Sequence, residues 1–422
     1  MSDGIDLLLR RAGFGATAVE LSAARQAGYD AALSALVAPP GPDVGAMSAP
    51  IPNLGPDAYA GKRDLTYEEK VKLEDLRTAQ TEQITQWWLN RMTVASHQAV
   101  EKLVFFWHGH WATSVKKVRS PQLMLQQHRT LRSAPDFKAM SRKMVTDAAL
   151  NHYLDGHLNT RQAPNENLAR ELFELFVLGI GQYTEKDIKE AGRALTGWRF
   201  SLTKGSSVFD PRAHDAGSKN ILGRRGHFAA DSLVELLLTQ DACPRFIAAR
   251  LWYRYGSATE AIPGRLQDKM VQAFPKPLDM LRALFGDEAF HATGGTMVKQ
   301  PVEWFVGAMR QLGLRPSNLP PETRKRVLRD LESLGQLPFA PPNVGGWPAG
   351  GAWLTSAAAQ VRLRLAGTLA EHVSVSSLTP ENLAYLLCVE RWTNRTYNVL
   401  RGTQDRRLLL ILGLVSPDYL VT

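Results

Sequence analysis

The sequence has few cysteines and no long hydrophobic run. Only Cys243 and Cys388 occur among its 422 residues, and neither has a CxxC or CxxH partner. This argues against a disulfide framework and a cysteine zinc site, and it predicts two buried thiols. The C-terminal apolar run from Leu408 to Val415 is far shorter than the roughly 18 residues that a membrane helix needs. We therefore expect a protein that does not span a membrane.

Recognisable catalytic and targeting motifs are also missing. The chain has no glycine-rich phosphate loop within a βαβ pattern, no GxSxG elbow and no HExxH motif. Their absence disfavours nucleotide binding by a Rossmann or P-loop mechanism, serine hydrolase chemistry and the zincin class. The N-terminus lacks the basic and apolar segments of a secretory signal, so the chain as given is expected in the cytoplasm.

Positive charge is in excess but is not concentrated. The net charge is +9, yet the basic residues are spread along the chain, and Lys116–Lys117 and Arg224–Arg225 are only pairs. A nucleic-acid-binding protein would show a basic cluster, so nucleic acid is not the expected partner. We interpret the excess as a solvated surface, a bias that a polyanionic substrate or an acidic protein partner would also exploit.

Hydrophobic periodicity predicts an all-α fold with one large multi-helix core. A helical unit is predicted over residues 1–38, a Pro/Gly-rich linker over 39–65 and the main helical domain over 66–422. Prolines and glycines between Pro39 and Pro56 predict that no helix forms there. From Thr66 the three- and four-residue spacing predicts a helix of about seven turns.

The main domain is predicted to be a series of helices interrupted by two long irregular loops, at about 197–230 and 336–355. The first loop is predicted to be a functional loop or a short hairpin. The predicted helices cover residues 98–111, 122–132, 137–149, 165–178, 185–196, 233–238, 244–255, 264–274, 277–285, 298–312 and 322–334, with three or four more over 356–415.

Two histidines lie two residues apart among aromatic residues. His108 and His110 flank Gly109 at the end of an apolar helical segment. A regular helix would separate their directions by about 200°, so a shared metal ion requires a helix end or an extended turn, which Gly109 permits. The alternative is that one histidine caps the helix carbonyls while the other is exposed.

A second segment, residues 164–176, is apolar nearly all round yet contains six polar side chains. These are Asn165, Glu166, Asn167, Arg170, Glu171 and Glu174. Glu166 and Arg170 have the i,i+4 spacing of an ion pair. Buried carboxylates must be paired, protonated or bound to metal, because an isolated charge is costly in a low dielectric. The segment therefore predicts either an active site or a structural salt-bridge network, with Arg193 or Arg199 as partners.

Two irregular segments carry the remaining candidates. His214 and Asp215 follow one another in a non-periodic loop, where they can supply a metal ligand and its orienting group, or a general acid/base. The alternative is an ordinary turn that Asp215 caps. Residues 338–348 are rich in proline and glycine around Trp347, and this rigid loop is predicted to close a pocket or pack on the core.

Several segments together resemble the bacterial family catalogued as domain of unknown function 1800. The matching segments are Leu8–Gly15, Trp107–His110, Asn165–Asn167, Ala169–Glu171, Tyr183–Asp187, Ala194–Trp198, His214–Asp215, Lys299–Glu303, Gly345–Pro348 and Trp353. The resemblance covers nearly the whole chain and implies no particular reaction. Members are often encoded beside a second family, number 1501, which resembles sulfatase-like proteins. The resemblance thus implies a protein partner of that kind, and export together with it stays open.

The leading hypothesis is an enzyme whose pocket lies between these segments. A divalent metal, iron, manganese or zinc, would bind through His108, His110 and His214. The other assigned roles are ligand or general base for Glu171 or Glu174, carboxylate orienter or anion clamp for Arg170, orienting group or acid/base for Asp215, and supporting positions for Glu166, Asn167 and Trp347. Hydrolysis and oxidation are both open.

Two other functions are compatible with the same residues. One is a non-catalytic binding or scaffold protein that docks on an acidic or sulfatase-like partner, with the polar groups forming a buried network. The other is a haem protein in which one of the histidines ligates iron among Phe105, Phe106, Trp107 and Trp111. Metal content and a visible spectrum distinguish these alternatives.

Overall fold

Helix starts follow local capping chemistry. In the computed structural model, which describes residues 4–422, the hydroxyls of Thr17, Thr66 and Thr184 each accept a hydrogen bond from the backbone three residues on. In each case the acidic residue at that position bonds back to the threonine N–H, which completes a capping box. The long helix predicted from Thr66 therefore begins directly after that residue, as expected.

The N-terminal part contains six helices. They are α1 (Ile5–Ala12), α2 (Ala18–Ala27), α3 (Tyr29–Val37), α4 (Val44–Met47), α5 (Tyr67–Val94) and α6 (Gln98–His110). The prediction that residues 39–56 hold no helix is wrong at α4. The Asp43 carboxylate caps this single turn by accepting from the Ala46 N–H, and the turn fits between two prolines. Residues 1–3 of the predicted first unit lie outside the described residues.

Six further helices precede the first irregular loop. They are α7 (Val115–Val118), α8 (Pro121–Ser133), α9 (Phe137–Met144), α10 (Ala148–Tyr153), α11 (Asn167–Glu171) and α12 (Glu185–Ala194). The single helix predicted over 137–149 is in fact two, because Asp147 caps a new helix by accepting from the Leu150 N–H. After α11 the chain continues as a π-helical turn over Leu172–Val177.

The predicted loop at 197–230 forms two small antiparallel hairpins. Strand β1 (Trp198–Ser201) pairs with β2 (Ser206–Phe209), and β3 (Lys219–Ile221) pairs with β4 (Arg224–Gly226). Strand accounts for only 4% of the structure against 60% helix. The fold is therefore all-α, with the two hairpins as a small addition.

Helices resume after the hairpins and continue to the C-terminal region. They are α13 (Ala230–Leu238), α14 (Ala242–Tyr255), α15 (Gly264–Gln272), α16 (Pro277–Phe285), α17 (Glu288–His291), α18 (Pro301–Gln311), α19 (Pro321–Ser333), α20 (Ser356–Ala370), α21 (Pro380–Leu386), α22 (Asn394–Gly402), α23 (Arg406–Val415) and α24 (Pro417–Leu420). Residues 336–349 are irregular, as predicted. None of the helices within residues 4–422 is long and apolar enough to cross a membrane.

Helix α6 lies at the junction of two hydrophobic clusters. Phe106 and Trp107 pack into one cluster, which includes much of α14, whereas Val104 and Phe105 pack into the other, which includes α18. Nearly every side chain of α6 is therefore buried. This placement explains why the histidines at its end are buried among aromatic rings.

Helix α1 fixes α14 against α6. The Arg11 guanidinium donates to the Tyr255 and Gly256 carbonyls at the end of α14, at 3.1 and 2.8 Å. The Lys102 ammonium of α6 in turn donates to the carbonyls of Arg11 and Gly13. Carbonyls at a helix end have no partner within the helix, so these cations satisfy them. The relative position of α6 and α14 is thereby set.

Candidate functional site

The two histidines of α6 face different surroundings. The helix remains regular through Gly109 to His110, so the rings point in nearly opposite directions. His108 Nε2 accepts from the backbone N–H of Phe339 at 3.0 Å, whereas His110 Nε2 lies 2.9 Å from the Phe176 carbonyl oxygen. Both side chains are buried. The structure does not bring them together around one metal position.

His110 is held in one tautomer with an open acceptor. A carbonyl oxygen only accepts, so the proton must sit on Nε2, and Nδ1 carries the lone pair. Nδ1 is buried and has no hydrogen-bond partner among residues 4–422. Burial, together with the charge of Arg250, lowers the pKa of His110 to about 3. The ring is therefore neutral at physiological pH.

The π-helical turn supplies the carbonyl that fixes His110. Leu178 and Gly179 both donate to the Phe173 oxygen, and the helix then ends. The oxygen of Phe176 is one of the last carbonyls of this helix, which have no intrahelical donor. It is thus available to His110. Turns of the π type often occur at functional sites, because they expose backbone groups that a regular helix would use.

A small pocket opens beside His110, between α6, α14 and the Trp347 loop. The side chains that define it are Phe106, His110, Arg250, Arg254, Gln300 and Trp347. Its volume is about 40 Å³. One water requires about 10–15 Å³ of such volume, so the pocket holds a group about as large as three waters. A carboxylate or a tetrahedral oxyanion fits this size, whereas a nucleotide would have to extend outside.

Arg250 brings an uncompensated positive charge to this pocket. It makes no hydrogen bond or ion pair with any other described residue, and its buried Nε has no acceptor. Its contact is with the Tyr253 ring, whose centroid lies 5.8 Å from the guanidinium carbon. Burial lowers the pKa of Arg250 below its usual value, but an arginine stays charged at neutral pH. A cation without a counter-ion therefore forms part of the pocket wall.

Arg254, one turn further along α14, is neutralised instead. It lies 3.0 Å from the Glu303 carboxylate, which is also 2.8 Å from the Lys102 ammonium. Burial alone would raise the pKa of Glu303, but Arg254 and Lys102 overcome it and lower the pKa to about 2. Glu303 is thus ionised and shared by two cations.

Trp347 covers one side of the pocket. Its ring stacks on Phe105 with centroids 5.2 Å apart. The preceding Gly346 has φ +80°, and a Cβ there would lie 2.1 Å from the Gly109 oxygen, so only glycine allows this approach. The buried Nε1 of Trp347 has no partner among the residues described. The loop therefore presents an unused N–H donor near the pocket.

The glutamates at 166–174 belong to a surface network away from this pocket. Arg170 pairs with Glu166 and Glu185 at 2.7 Å and with Glu174 at 3.3 Å, which ties α11 and the π-helical turn to α12. Two further residues of this segment have other surroundings. The Asn167 amide donates to the Leu154 carbonyl, and burial raises the pKa of the half-buried Glu171. The salt-bridge hypothesis placed a buried network here with Arg193 or Arg199, whereas the observed ion pairs join the helices through Glu185 and are partly exposed.

The His214–Asp215 pair is likewise tied to α12. Asp215 accepts from the Arg193 guanidinium at 2.7 and 3.1 Å, and His214 Nδ1 lies 3.0 Å from the Thr196 oxygen. Arg193 lowers the pKa of Asp215. Gly197 has φ +90°, and a Cβ there would lie 3.1 Å from that of His214. These contacts hold the loop in place, and neither side chain lines the pocket.

The predicted residues are therefore divided among separate places. Within residues 4–422, no three His, Cys, Asp or Glu side chains are grouped so that they could hold a metal ion. Of the predicted site, only His110 and Trp347 line the pocket. Arg250, Arg254 and Gln300 were not predicted. The i,i+4 spacing of the two arginines, which puts them on one helix face, is the signal that could have identified them.

Together these features define an all-α protein with a small, cationic pocket walled by aromatic rings. The chain belongs to the family described as Protein of unknown function (DUF1800), whose model matches residues 7–421. This confirms the resemblance noted from the sequence. No curated protein and no solved structure matches the chain.

Proposed function

We propose that the protein binds a small oxyanion, or the anionic end of a larger molecule, in the pocket beside Arg250. The observation that carries the proposal is that Arg250 has no counter-ion among the described residues. A partly buried guanidinium without a partner is costly, and an anionic ligand would remove that cost. Arginine suits this task because its planar donors match carboxylate and phosphate oxygens.

The charge around the pocket supports an anion rather than a cation. Arg254 and Lys102 share the carboxylate of Glu303, and Arg250 adds a third cation that pairs with no carboxylate of the described residues. The net charge of these four side chains is therefore positive. Gln300 adds a neutral amide to the lining of the same pocket. These groups suit a ligand that accepts several hydrogen bonds.

Aromatic walls strengthen this recognition. Phe106, Tyr253 and Trp347 line the pocket and limit the water around the guanidinium. Charge interactions gain strength when water is excluded, because the local dielectric is lower than in bulk solvent. The same rings offer apolar contact to the rest of a ligand at the pocket mouth. An organic acid or a phosphorylated compound would use both features.

The metal-dependent enzyme and the scaffold for a sulfatase-like partner both remain predictions. His110 is relevant to both hypotheses, because it lines the proposed anion pocket and is also a predicted metal ligand of the enzyme. Metal binding is tested by elemental analysis and a visible spectrum of untagged protein. About one equivalent of metal that disappears in His110→Ala, while helical circular dichroism is retained, would favour the metalloenzyme over the anion site.

Calorimetric titration tests the proposed anion site. Inorganic phosphate, sulfate and acetate are titrated into the wild type, Arg250→Gln and Arg245→Gln. Arg245 is the matched control, because it lies on the same helix but is exposed and pairs with Asp268. We expect binding of at least one anion, weakened about 10- to 100-fold in Arg250→Gln, since a charged hydrogen bond contributes about 1.5–3 kcal/mol. No binding of any of the three anions, or equal binding by both variants, would refute the proposal.

A further inference from the structure

A second pocket lies between α5, α18 and α19 and shares no lining residue with the pocket beside Arg250. Its volume is about 360 Å³, within the range of pockets that bind small molecules. We infer that this pocket binds a zwitterion with an apolar body, the chemical class of a free apolar amino acid or a short peptide. The inference concerns a separate site and does not rest on the proposed anion binding.

The pocket offers apolar surface that a ligand can cover. Trp87 of α5, Leu328 of α19 and Leu319 line it and are 9%, 8% and 6% exposed, so each keeps some surface outside the core. The half-buried Pro52 and the exposed Ala79 extend this surface. An apolar side chain placed here would remove its own surface and that of the wall from water.

Hydrogen bonds hold the pocket wall in place. The Nε1–H of Trp87 donates to the Ala49 carbonyl at 2.9 Å. The backbone N–H of Ser317 donates to Asn90 Oδ1 at 3.3 Å, which anchors the short turn at Pro316–Asn318 to α5. Because these elements are already fixed, a ligand would have little ordering cost to overcome.

Two opposite charges line this pocket without a partner. Glu82 of α5 and Arg324 of α19 are half-buried, and neither makes a hydrogen bond or ion pair with another described residue through its side chain. They do not pair with each other either, so their charged groups lie more than 4.0 Å apart. The pocket therefore has both a carboxylate and a guanidinium on its wall that a ligand could bind.

Glu82 differs in this from the other half-buried charged side chains of α5. Each of the others has a partner of opposite charge: Glu74 pairs with Arg119, Arg77 with Asp57 and Arg91 with Glu101. Partly buried charges are costly when they are not compensated. A ligand that pairs with Glu82 and Arg324 would remove that cost.

A ligand in the pocket can reach both charges. Only the Nε of Arg324 is a buried atom without an acceptor, whereas its two terminal nitrogens and the Glu82 carboxylate are open to solvent. An ammonium complements Glu82, and a carboxylate complements the planar donors of Arg324. A simple anion would meet Glu82 and a simple cation would meet Arg324, so a molecule with both charges is preferred.

The test is calorimetry at pH 6.5 with phenylalanine, N-acetylphenylalanine and phenylalaninamide. Acetylation removes the ammonium and amidation removes the carboxylate, so each derivative lacks one charge. The proteins are the wild type, Glu82→Gln and Arg324→Gln. Glu68→Gln on α5 and Arg329→Gln on α19 are the matched controls, because both side chains are exposed and lie outside the pocket lining. Circular dichroism checks that each variant is folded.

We expect the wild type to bind phenylalanine, and Glu82→Gln and Arg324→Gln each to weaken this binding about 5- to 30-fold. That range lies between the effects of an exposed ion pair and of a buried charged hydrogen bond. Glu82→Gln should not weaken N-acetylphenylalanine further, and Arg324→Gln should not weaken phenylalaninamide further, because the contact is already missing. The control variants should bind phenylalanine as the wild type does.

The dipeptide leucylphenylalanine distinguishes a peptide from a free amino acid. If it binds more tightly than phenylalanine with the same dependence on Glu82 and Arg324, the zwitterion is a peptide; if it binds less tightly, the zwitterion is a free amino acid. No binding of either compound by the wild type would overturn the inference. So would variants whose effects do not depend on which charge the ligand carries.

The two pockets are distinguished by titrating phenylalanine into Arg250→Gln as well. Loss of binding in Arg250→Gln but not in Arg324→Gln would place the amino acid in the other pocket and would also overturn the inference. The proposed anion site is judged separately, by its own titration with phosphate, sulfate and acetate.

Discussion

Two polar regions of this molecule differ in how completely their charges are satisfied. Around α12, Arg170 and Arg193 each pair with two or more carboxylates. In the pocket between α6 and α14, Arg250 and His110 Nδ1 have no partner among the described residues. A network whose members satisfy one another needs no ligand, whereas an unpaired cation on the wall of a small pocket is a candidate group for binding one. The comparison shows that the candidate site is identified by polar groups without a partner, and not by the number of polar residues in a region.

The largest effect is expected at Glu303, whose carboxylate pairs with the pocket residue Arg254. Glu303→Gln removes the carboxylate that Lys102 and Arg254 share and leaves these two buried cations without it. Breaking a buried ion pair in this way costs about 3–5 kcal/mol. Urea unfolding should show that loss, while Glu185→Gln in the other region should cost far less, because the Glu185 carboxylate is exposed to solvent. Similar losses in the two variants would remove the distinction between the regions.

The pH dependence of stability should report the same carboxylate. Because the pKa of Glu303 in the folded state is lowered to about 2, its contribution is fully present above about pH 4.5 and is lost as the pH falls toward 2. Thermal unfolding of the wild type should therefore weaken over that window. The part of the loss due to Glu303 should be absent in Glu303→Gln. Parallel profiles for the two proteins would show that another group is responsible.

The next largest effect is an increase in the free energy of unfolding. Arg250→Gln removes an unpaired, partly buried charge, so the ligand-free variant should be more stable than the wild type, by about 0.5–2 kcal/mol. A variant that becomes more stable but binds anions more weakly has lost a binding residue, whereas loss of a structural residue would lower stability. Urea unfolding in an anion-poor buffer measures it. A clear loss of stability would mean that Arg250 is already satisfied within the protein.

The smallest effect is expected among the ion pairs around α12. Arg193→Gln breaks pairs with Glu190 and Asp215 that are partly open to solvent, so it should cost only about 1 kcal/mol or less. Phosphate affinity should not change, because Arg193 does not line the pocket. A titration of this variant alongside Arg250→Gln makes the comparison direct. A large fall in its phosphate affinity would connect the two regions.

The fold was largely predictable because its signals are local. The threonine capping boxes and the periodicity after Thr66 determine where helices start, and they depend on residues only three or four apart. The errors also have local causes. At α4 and at Asp147, an aspartate cap starts a helix where prolines or a continuous pattern suggested otherwise.

The site was predictable only in part because it is assembled from distant segments. His110 and Trp347 attracted attention by their aromatic and glycine-rich surroundings, but nothing local connects them with Arg250. Gly109 suggested a break in the helix, whereas the helix continues through it and the Trp347 ring packs there, 3.4 Å from where a Cβ would lie. The π-helical turn that fixes the His110 tautomer depends on tertiary packing that a periodicity argument does not see.

The most direct test of the account is a crystal structure of the wild type with inorganic phosphate at a concentration near its measured Kd. The account predicts a phosphate ion in contact with the Arg250 guanidinium, inside the pocket lined by Phe106, His110 and Trp347. A structure in which Arg250 pairs with a carboxylate of the protein, and phosphate lies elsewhere or nowhere, would contradict it.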